Sequence, residues 1–414
     1  MRPTETGLVR ACLAAIALRV ADDSFFQPEP GTSATDHLAS GLVPVAVLVA
    51  VGCAYPRWRP GARGAVALVL GAFGIATGIE GANAASQGIV ARADFTGLLA
   101  LGAGSALLAI GAAVLWRSRR GGSRKRRYLR RSLLALGGIV AAYLLVYPVT
   151  LAYVTTHVAR IGVPAPDLGA TAEAVSFTTS DGLVLAGWYV PSRNGAAVIA
   201  FPGRTAPQPH ARMLVRHGYG VLLFDRRGEG ASEGDPNALG WEGHRDVDAA
   251  FRFLGSRADV DSGRIGGLGL SVGGEMLIDA AARSGGLRAV VSEGAGIRSV
   301  REALDIPDVA PRIQLSLLFG VVTPAVMLFS GSRPPTSLTD LVGRIAPRAL
   351  FLVEAEQGQG GETELTRTFF DAAGEPKTRW RVPASSHTGG LDAEPAEYER
   401  RVVGFFDRHL LGGG

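Results

Sequence analysis

Gly269-Leu270-Ser271-Val272-Gly273 decides the reading of this 414-residue chain. Before it, RIGGLGL (residues 264–270) is apolar and Gly-rich, as a short buried strand is. After it, VGGEMLIDAAAR (residues 272–283) reads as a helix. A serine between two glycines at a strand-to-helix junction is a nucleophile elbow. The small neighbours let the backbone bend tightly, the hydroxyl is lifted out of the sheet, and the helix N-terminus behind it offers free N–H groups. In a chain with 56 glycines the pentapeptide alone is weak. The strand before it, the helix after it and a base far downstream give it force.

Working outward, strands and helices alternate from about residue 174, as in a doubly wound, mostly parallel α/β sheet. Residues 174–179 and 183–190 flank Ser180-Asp181-Gly182 and predict a hairpin with a D-G turn. AAVIAF (196–201) and GVLLFD (220–225) are continuous apolar runs expected of buried parallel strands. Strands are also expected at 289–292, 349–353 and 379–382, with helices at 209–217, 241–254 and 394–411. Catalytic groups in such sheets gather at the carboxyl ends of the strands.

At this point the chain resembles the α/β-hydrolase family over roughly residues 173–411. The elbow carries the resemblance first. Phe201-Pro202-Gly203 stands where the family often has His-Gly, and Asp225-Arg-Arg-Gly-Glu-Gly-Ala-Ser232 looks like the family's D-x-R-G-x-G-x-S loop. His387-Thr388-Gly389-Gly390 looks like its terminal His loop. The resemblance implies a serine hydrolase, esterase-like first and serine aminopeptidase- or prolyl-oligopeptidase-like second. It implies a small-molecule acyl or peptide substrate, and neither cofactor nor metal.

A serine hydroxyl needs a base to take its proton. Of seven histidines, His210, His217, His244 and His409 fall on or beside helices and read as bystanders. His37 and His157 belong to the apolar half. His387, in the flexible run PASSHTGG after the last strand, is the expected base for Ser271. The acid, which holds the imidazole tautomer, is expected after strand 349–353. That loop, EAEQGQGGETEL, has no Asp. Glu362, at a helix start, is preferred to Glu356, read as just past the strand end; Glu293 is the third candidate. The oxyanion hole would use the backbone N–H of Val272 and that of Arg204 beside Gly203. The Arg204 side chain has two open readings, facing the cleft or lying on the surface.

The first half is different. Candidate membrane spans are 8–20, 42–55, 65–79, 95–116 and 133–154, the first interrupted by Arg10 and bounded by Arg19. Arg57, Arg59 and Arg63 form one basic loop, and RSRRGGSRKRRYLRR (117–131) another. Basic loops stay inside, which predicts five spans, a multi-pass anchor in membrane lipid and a hydrolase domain outside the cytoplasm. The basic block lies between apolar stretches, so it reads as a membrane loop and no nucleic-acid partner is expected. The organisation expected is a transmembrane region (1–159), a linker (160–173) and an α/β-hydrolase domain (174–414) with a cap inserted at about 296–347.

Within the cap, LSLLFGVVTPAVMLF (315–329) is apolar and contains Pro324; it reads as a hydrophobic lid near the membrane surface. Hydrophobic residues make up 47 % of the chain and charged ones 19 %, with a net charge of +5. Cys12 and Cys53 both lie in the apolar half, so the second half holds no disulfide framework and no catalytic thiol. Few charges fall within the expected spans, which disfavours a transporter. The rival to an enzyme is a silent hydrolase fold kept as a binding or sensor module, favoured by the missing Asp and the altered His-Gly turn.

Overall fold

The structure, a computed structural model, describes residues 3–86, 92–117, 137–138, 142–158, 160–161, 166–358 and 361–412. The chain divides into two compact units. One comprises Met1–Ala159 with Gly320–Gly331, the other Arg160–Phe319 with Ser332–Gly414.

The second unit is built on a sheet of eight strands among the described residues. They are β1 (Glu173–Thr178), β2 (Val184–Val190), β3 (Ala197–Phe201), β4 (Gly220–Phe224), β5 (Ile265–Leu270), β6 (Ala289–Glu293), β7 (Ala349–Gln357) and β8 (Lys377–Ser386). Their spatial order is β1-β2-β4-β3-β5-β6-β7-β8. β1 and β2 pair antiparallel, as do β2 and β4, and the remaining pairs are parallel. Gly182, at φ +91°, closes the β1–β2 hairpin with its N–H on Thr179 O.

β3, β4, β5 and β6 are buried along their whole length, which explains why they read as unbroken apolar runs. Alternate side chains enter two cores. Ile199, Phe201, Leu222 and Phe224 face the core closed by Met276, Leu277 and Ile278 of helix Val272–Ser284 and by Val247 and Leu254 of helix His244–Gly255. Val198, Ala200, Val221 and Leu223 face the other, closed by Met213 and Leu214 of helix Gln208–Arg216 and by Tyr398, Val402 and Phe406 of helix Pro395–Phe406.

The first unit is helical: Pro3–Ala21, Leu38–Ala54, Pro60–Ser86, Arg92–Arg117 and Tyr147–Thr156 are its long described helices. Pro60–Ser86 and Arg92–Arg117 pack closely because glycines recur along their contact. A Cβ on Gly71 would lie 2.8 Å from Gly104 O, and one on Gly104 2.6 Å from Gly71 O. Gly64 and Gly111 repeat the arrangement one heptad away: a Cβ on Gly111 would lie 2.8 Å from Gly64 O. Close backbone approach of this kind is how apolar helices associate where lipid removes the hydrophobic drive.

Among the described residues four helices are long and apolar enough to cross a membrane: Leu38–Arg57, Pro60–Gly78, Phe95–Arg117 and Val309–Ser330. The set differs from the expected five. Segment 8–20 is helical, but Arg10 donates to Gly52 O and Arg19 to Thr77 O, so its charges are used within the helical unit. The first part of segment 133–154 lies mostly outside the described residues, its later part being the shorter apolar helix Leu144–Thr156, and nearly all of the basic block 117–131 lies outside them as well. The expected lid is one continuous 22-residue helix, Val309–Ser330, with Pro324 inside it. A proline removes one i→i−4 hydrogen bond, which a long apolar helix tolerates. Its last half groups with the helical unit, where Phe329 packs edge-on against Tyr153 with ring centroids 5.4 Å apart.

Candidate active site

β5 ends at Leu270 and a helix begins at Val272, so Ser271 makes the whole turn. Its backbone sits at φ 50°, ψ −125°, a conformation that costs a non-Gly residue roughly 1–3 kcal/mol. The Ser271 N–H donates to Glu293 O at 2.7 Å, and the N–H groups of Gly274 and Glu275 donate to Ser271 O. The flanking glycines are steric necessities. A Cβ on Gly269 would lie 2.4 Å from Gly274 N, and one on Gly273 2.5 Å from Phe201 O.

β8 ends at Ser386, and the next residue is His387. Thr388 at φ 54° and Ala384 at φ 54° bend this loop tightly. His387 Nε2 lies 3.0 Å from Ser271 Oγ, and His387 Nδ1 lies 2.6 Å from Glu362 Oε2. Glu362 is the first residue of helix Glu362–Ala372, placed by Gly361 at φ +84°, and is 2 % exposed. The structure thus brings Ser271, His387 and Glu362 into one hydrogen-bonded chain. The Glu362 carboxylate, foremost through its hydrogen bond, holds the His387 pKa above the ordinary imidazole value.

The other two carboxylates lie elsewhere. β7 runs to Gln357, so Glu356 is still in the strand. There it accepts from Ala384 N–H at 2.9 Å and lies 3.5 Å from the Arg381 guanidinium. Glu293 is buried and accepts from Gly390 N–H and Tyr398 O–H, each at 2.7 Å. It anchors the loop that follows His387, and burial raises its pKa. Gly294, the next residue, makes room for the imidazole: a Cβ there would lie 3.0 Å from His387 Cε1.

Val272 is the first helical residue after Ser271, where the backbone N–H has no intrahelical acceptor. Gly203, at φ +67°, turns the chain after β3 next to Arg204. The Arg204 side chain corrects both readings made of it. It is buried, pairs with Asp225 at 2.6 Å and lies over the Trp188 ring at 4.5 Å. Asp225 also accepts from Ala231 N–H, and Arg227 pairs with the fully buried Asp246 at 2.7 Å. The 225–232 loop is therefore knitted to the scaffold.

A cleft of about 320 Å³ opens at Ser271 and His387. Pro202, Ala206, Pro209, Leu270 and Leu391 give it apolar walls, and His210, Thr388 and Asp392 are its remaining lining. His210 is not the surface bystander its helical position suggested: it is 4 % exposed. Glu275, one turn into the helix behind Ser271, is another buried group that sequence reasoning missed. It accepts from Gly296 N–H at 2.8 Å, and burial pushes its pKa up to about 7.

Residues 168–306 match the family described as X-Pro dipeptidyl-peptidase (S15 family). The YfhR protein of Escherichia coli strain K12 is 34 % identical over 133 residues, 29 % of this chain and 46 % of the relative, so the chain spans under half of its length. YfhR of E. coli O157:H7 is 27 % identical over 252 residues, 57 % of this chain and 80 % of the relative. Among solved structures, the esterase Pf2001 of Pyrococcus furiosus is similar with a TM-score of 0.51 at 24 % identity, covering 62 % of this chain and 98 % of the esterase. A mostly parallel sheet of this order, a serine at the strand-to-helix turn and this structural likeness lead to one statement: the C-terminal unit of the chain has the α/β-hydrolase fold.

Proposed function

We propose that the chain is a membrane-anchored serine hydrolase that cleaves an acyl bond, an ester first, through Ser271, His387 and Glu362. The observation that carries the reading is the chain Oγ–Nε2 at 3.0 Å and Nδ1–carboxylate at 2.6 Å. Ser271 Oγ attacks the carbonyl carbon while His387 Nε2 takes its proton. Glu362 keeps the other proton on Nδ1 and stabilises the imidazolium that forms. The oxyanion is met by the backbone N–H of Val272 and that of Arg204, each such donor lowering the barrier by about 3–4 kcal/mol. His387 returns the proton to the leaving group, and water clears the acyl-enzyme by the same steps. The Glu in place of Asp offers no support for a silent fold, because its carboxylate reaches Nδ1.

Anchoring in lipid is supported by the three long apolar helices of the first unit and by the basic residues Arg57, Arg59 and Arg63 at one end. Helix Val309–Ser330 separates Ser271 from His387 in sequence. Two residues in hydrogen-bond contact lie on one side of a bilayer, so this helix enters or rests on the membrane without a net crossing. With the N-terminus inside, an odd number of spans before residue 160 leaves the hydrolase unit outside the cytoplasm.

The test is kinetic. On p-nitrophenyl esters, Ser271→Ala and His387→Ala should each remove turnover by a factor on the order of 10⁴ or more. Undiminished turnover in Ser271→Ala would contradict the reading.

A further inference from the structure

At the edge of the sheet away from Ser271, Arg264, Arg288 and Arg348 each stand immediately before one of three adjacent parallel strands, β5, β6 and β7. Ala289 pairs with Ala349, so Arg288 and Arg348 are neighbours one residue back, and Arg288 N–H donates to Ile265 O at 2.8 Å. Arg408 and His409, in the closing helical turn Asp407–Leu411, join them in lining a cavity of about 630 Å³, a size suited to a small ligand. Asp261 is the one carboxylate among the described lining residues. Like charges gathered in this way repel unless something offsets them. Two of the four arginines are answered within the chain. Arg264 lies 3.4 Å from Asp261, and Arg348 donates to Ala281 O at 2.6 Å and to Arg344 O at 3.1 Å. The other two are not. Arg288 and Arg408 are exposed, and among the described residues their guanidiniums have neither a carboxylate nor a hydrogen-bond acceptor. Both charges bear on His409, whose pKa is lowered first by burial and then by them.

We propose that this cavity is an anion site for a phosphate group, carried by a small molecule or a lipid headgroup, with Arg288 and Arg408 as its principal contacts. A guanidinium presents paired N–H donors that match phosphate oxygens, and such charge-assisted bonds are about twice as strong as neutral ones. A multiply charged phosphate also relieves the repulsion among the arginines. The site shares no lining residue with the Ser271 cleft, and the six residues of β5 stand between its Arg264 end and Ser271. It therefore does not depend on the serine-hydrolase reading.

Isothermal titration calorimetry on the detergent-solubilised full chain tests it, with pyrophosphate and dioctanoyl phosphatidate as probes at matched ionic strength. The expected result is saturable binding of at least one probe with a Kd below about 1 mM. It should weaken at least about tenfold in Arg288→Gln/Arg408→Gln. Arg252→Gln, which removes an exposed arginine outside the cavity lining, should bind as wild type does. Binding of pyrophosphate assigns the site to a soluble phosphate, and binding of phosphatidate alone assigns it to a lipid headgroup. Ester hydrolysis and melting temperature of the double variant should match wild type, which separates loss of the site from loss of the fold. Should the double variant melt early, Arg288→Lys and Arg408→Lys keep the charge without the fork, and each should still weaken binding. Saturable binding of neither probe, or binding undiminished in these variants, overturns the proposal. Dioctanoyl phosphatidylcholine bound as tightly as phosphatidate overturns it too, because the acyl chains and not the anion would then be recognised.

Discussion

Glycine does opposite work in the two units. In the helix pair Pro60–Ser86 and Arg92–Arg117, it lets two straight backbones touch: Gly71 and Gly104 each face the other's carbonyl. In the elbow it lets one backbone fold on itself: Gly269 faces Gly274 N, and Gly273 faces the end of β3. The first use concerns association and tolerates repetition every seven residues. The second is tied to a single side chain, because only a turn that sharp leaves Ser271 Oγ within reach of His387. The same residue type is therefore replaceable in one region at the cost of packing, and in the other at the cost of chemistry.

The comparison is broken most severely by removing the charge behind the histidine. Glu362→Gln should lower kcat/KM by on the order of 10³–10⁴, whereas Glu356→Gln should stay within about threefold, since its carboxylate serves the β7–β8 edge. Equal losses in the two variants would dissolve the distinction. Next, Gly273→Ala puts a methyl 2.5 Å from a backbone oxygen that cannot swing aside. A loss of roughly 2–4 kcal/mol in stability is expected, with activity falling alongside. Gly104→Leu, placed 2.6 Å from Gly71 O, should lower the thermal stability of the detergent-solubilised protein by about 1–3 kcal/mol. Its ester hydrolysis below the transition should match wild type. A Gly104→Leu protein that loses hydrolysis while keeping its melting temperature would erase the contrast between the units.

The smallest effect is in pH. In the proposed reaction His387 acts as a base only when neutral, and its pKa is raised chiefly by the hydrogen bond to Glu362. Activity should therefore fall with acid from a midpoint above the ordinary imidazole value. The same pairing favours the protonated folded state, so its contribution to stability is full below the unfolded pKa and is lost as pH rises through the folded pKa. Glu362→Gln should move the acid limb of residual activity to lower pH. A limb that stays in place would assign the shift to another group.

Much of the sheet was legible because buried parallel strands advertise themselves as apolar runs, and β3, β4, β5 and β6 fall where those runs are. Ser271, His387 and Glu362 were legible as types in an order: a serine at a turn, a histidine after the last strand, a carboxylate at a helix start. The edges were not. β7 is longer than its apolar stretch because Glu354, Ala355 and Gln357 continue its pairing with β8, with a register shift between Ala355 and Gln357, and charge at a strand's end hides its length. Arg204 and His210 were misread for a common reason. Both are polar residues buried by tertiary contacts, and local sequence carries no sign of Asp225, Trp188 or the cleft wall. The helix-pair glycines did carry a sign, the seven-residue spacing of Gly64 with Gly71 and of Gly104 with Gly111. The continuity of Val309–Ser330 through Pro324 left none, since proline ends a helix in one setting and is absorbed in another.

The central claim is that the hydroxyl of Ser271 is an activated nucleophile. Its most direct test is mass spectrometry of the purified full chain after exposure to a fluorophosphonate. One phosphonyl adduct mapped to Ser271, lost in Ser271→Ala and strongly slowed in His387→Ala, is the predicted result. A folded chain that takes no adduct, or one that takes it equally with Ser271→Ala, would contradict the account.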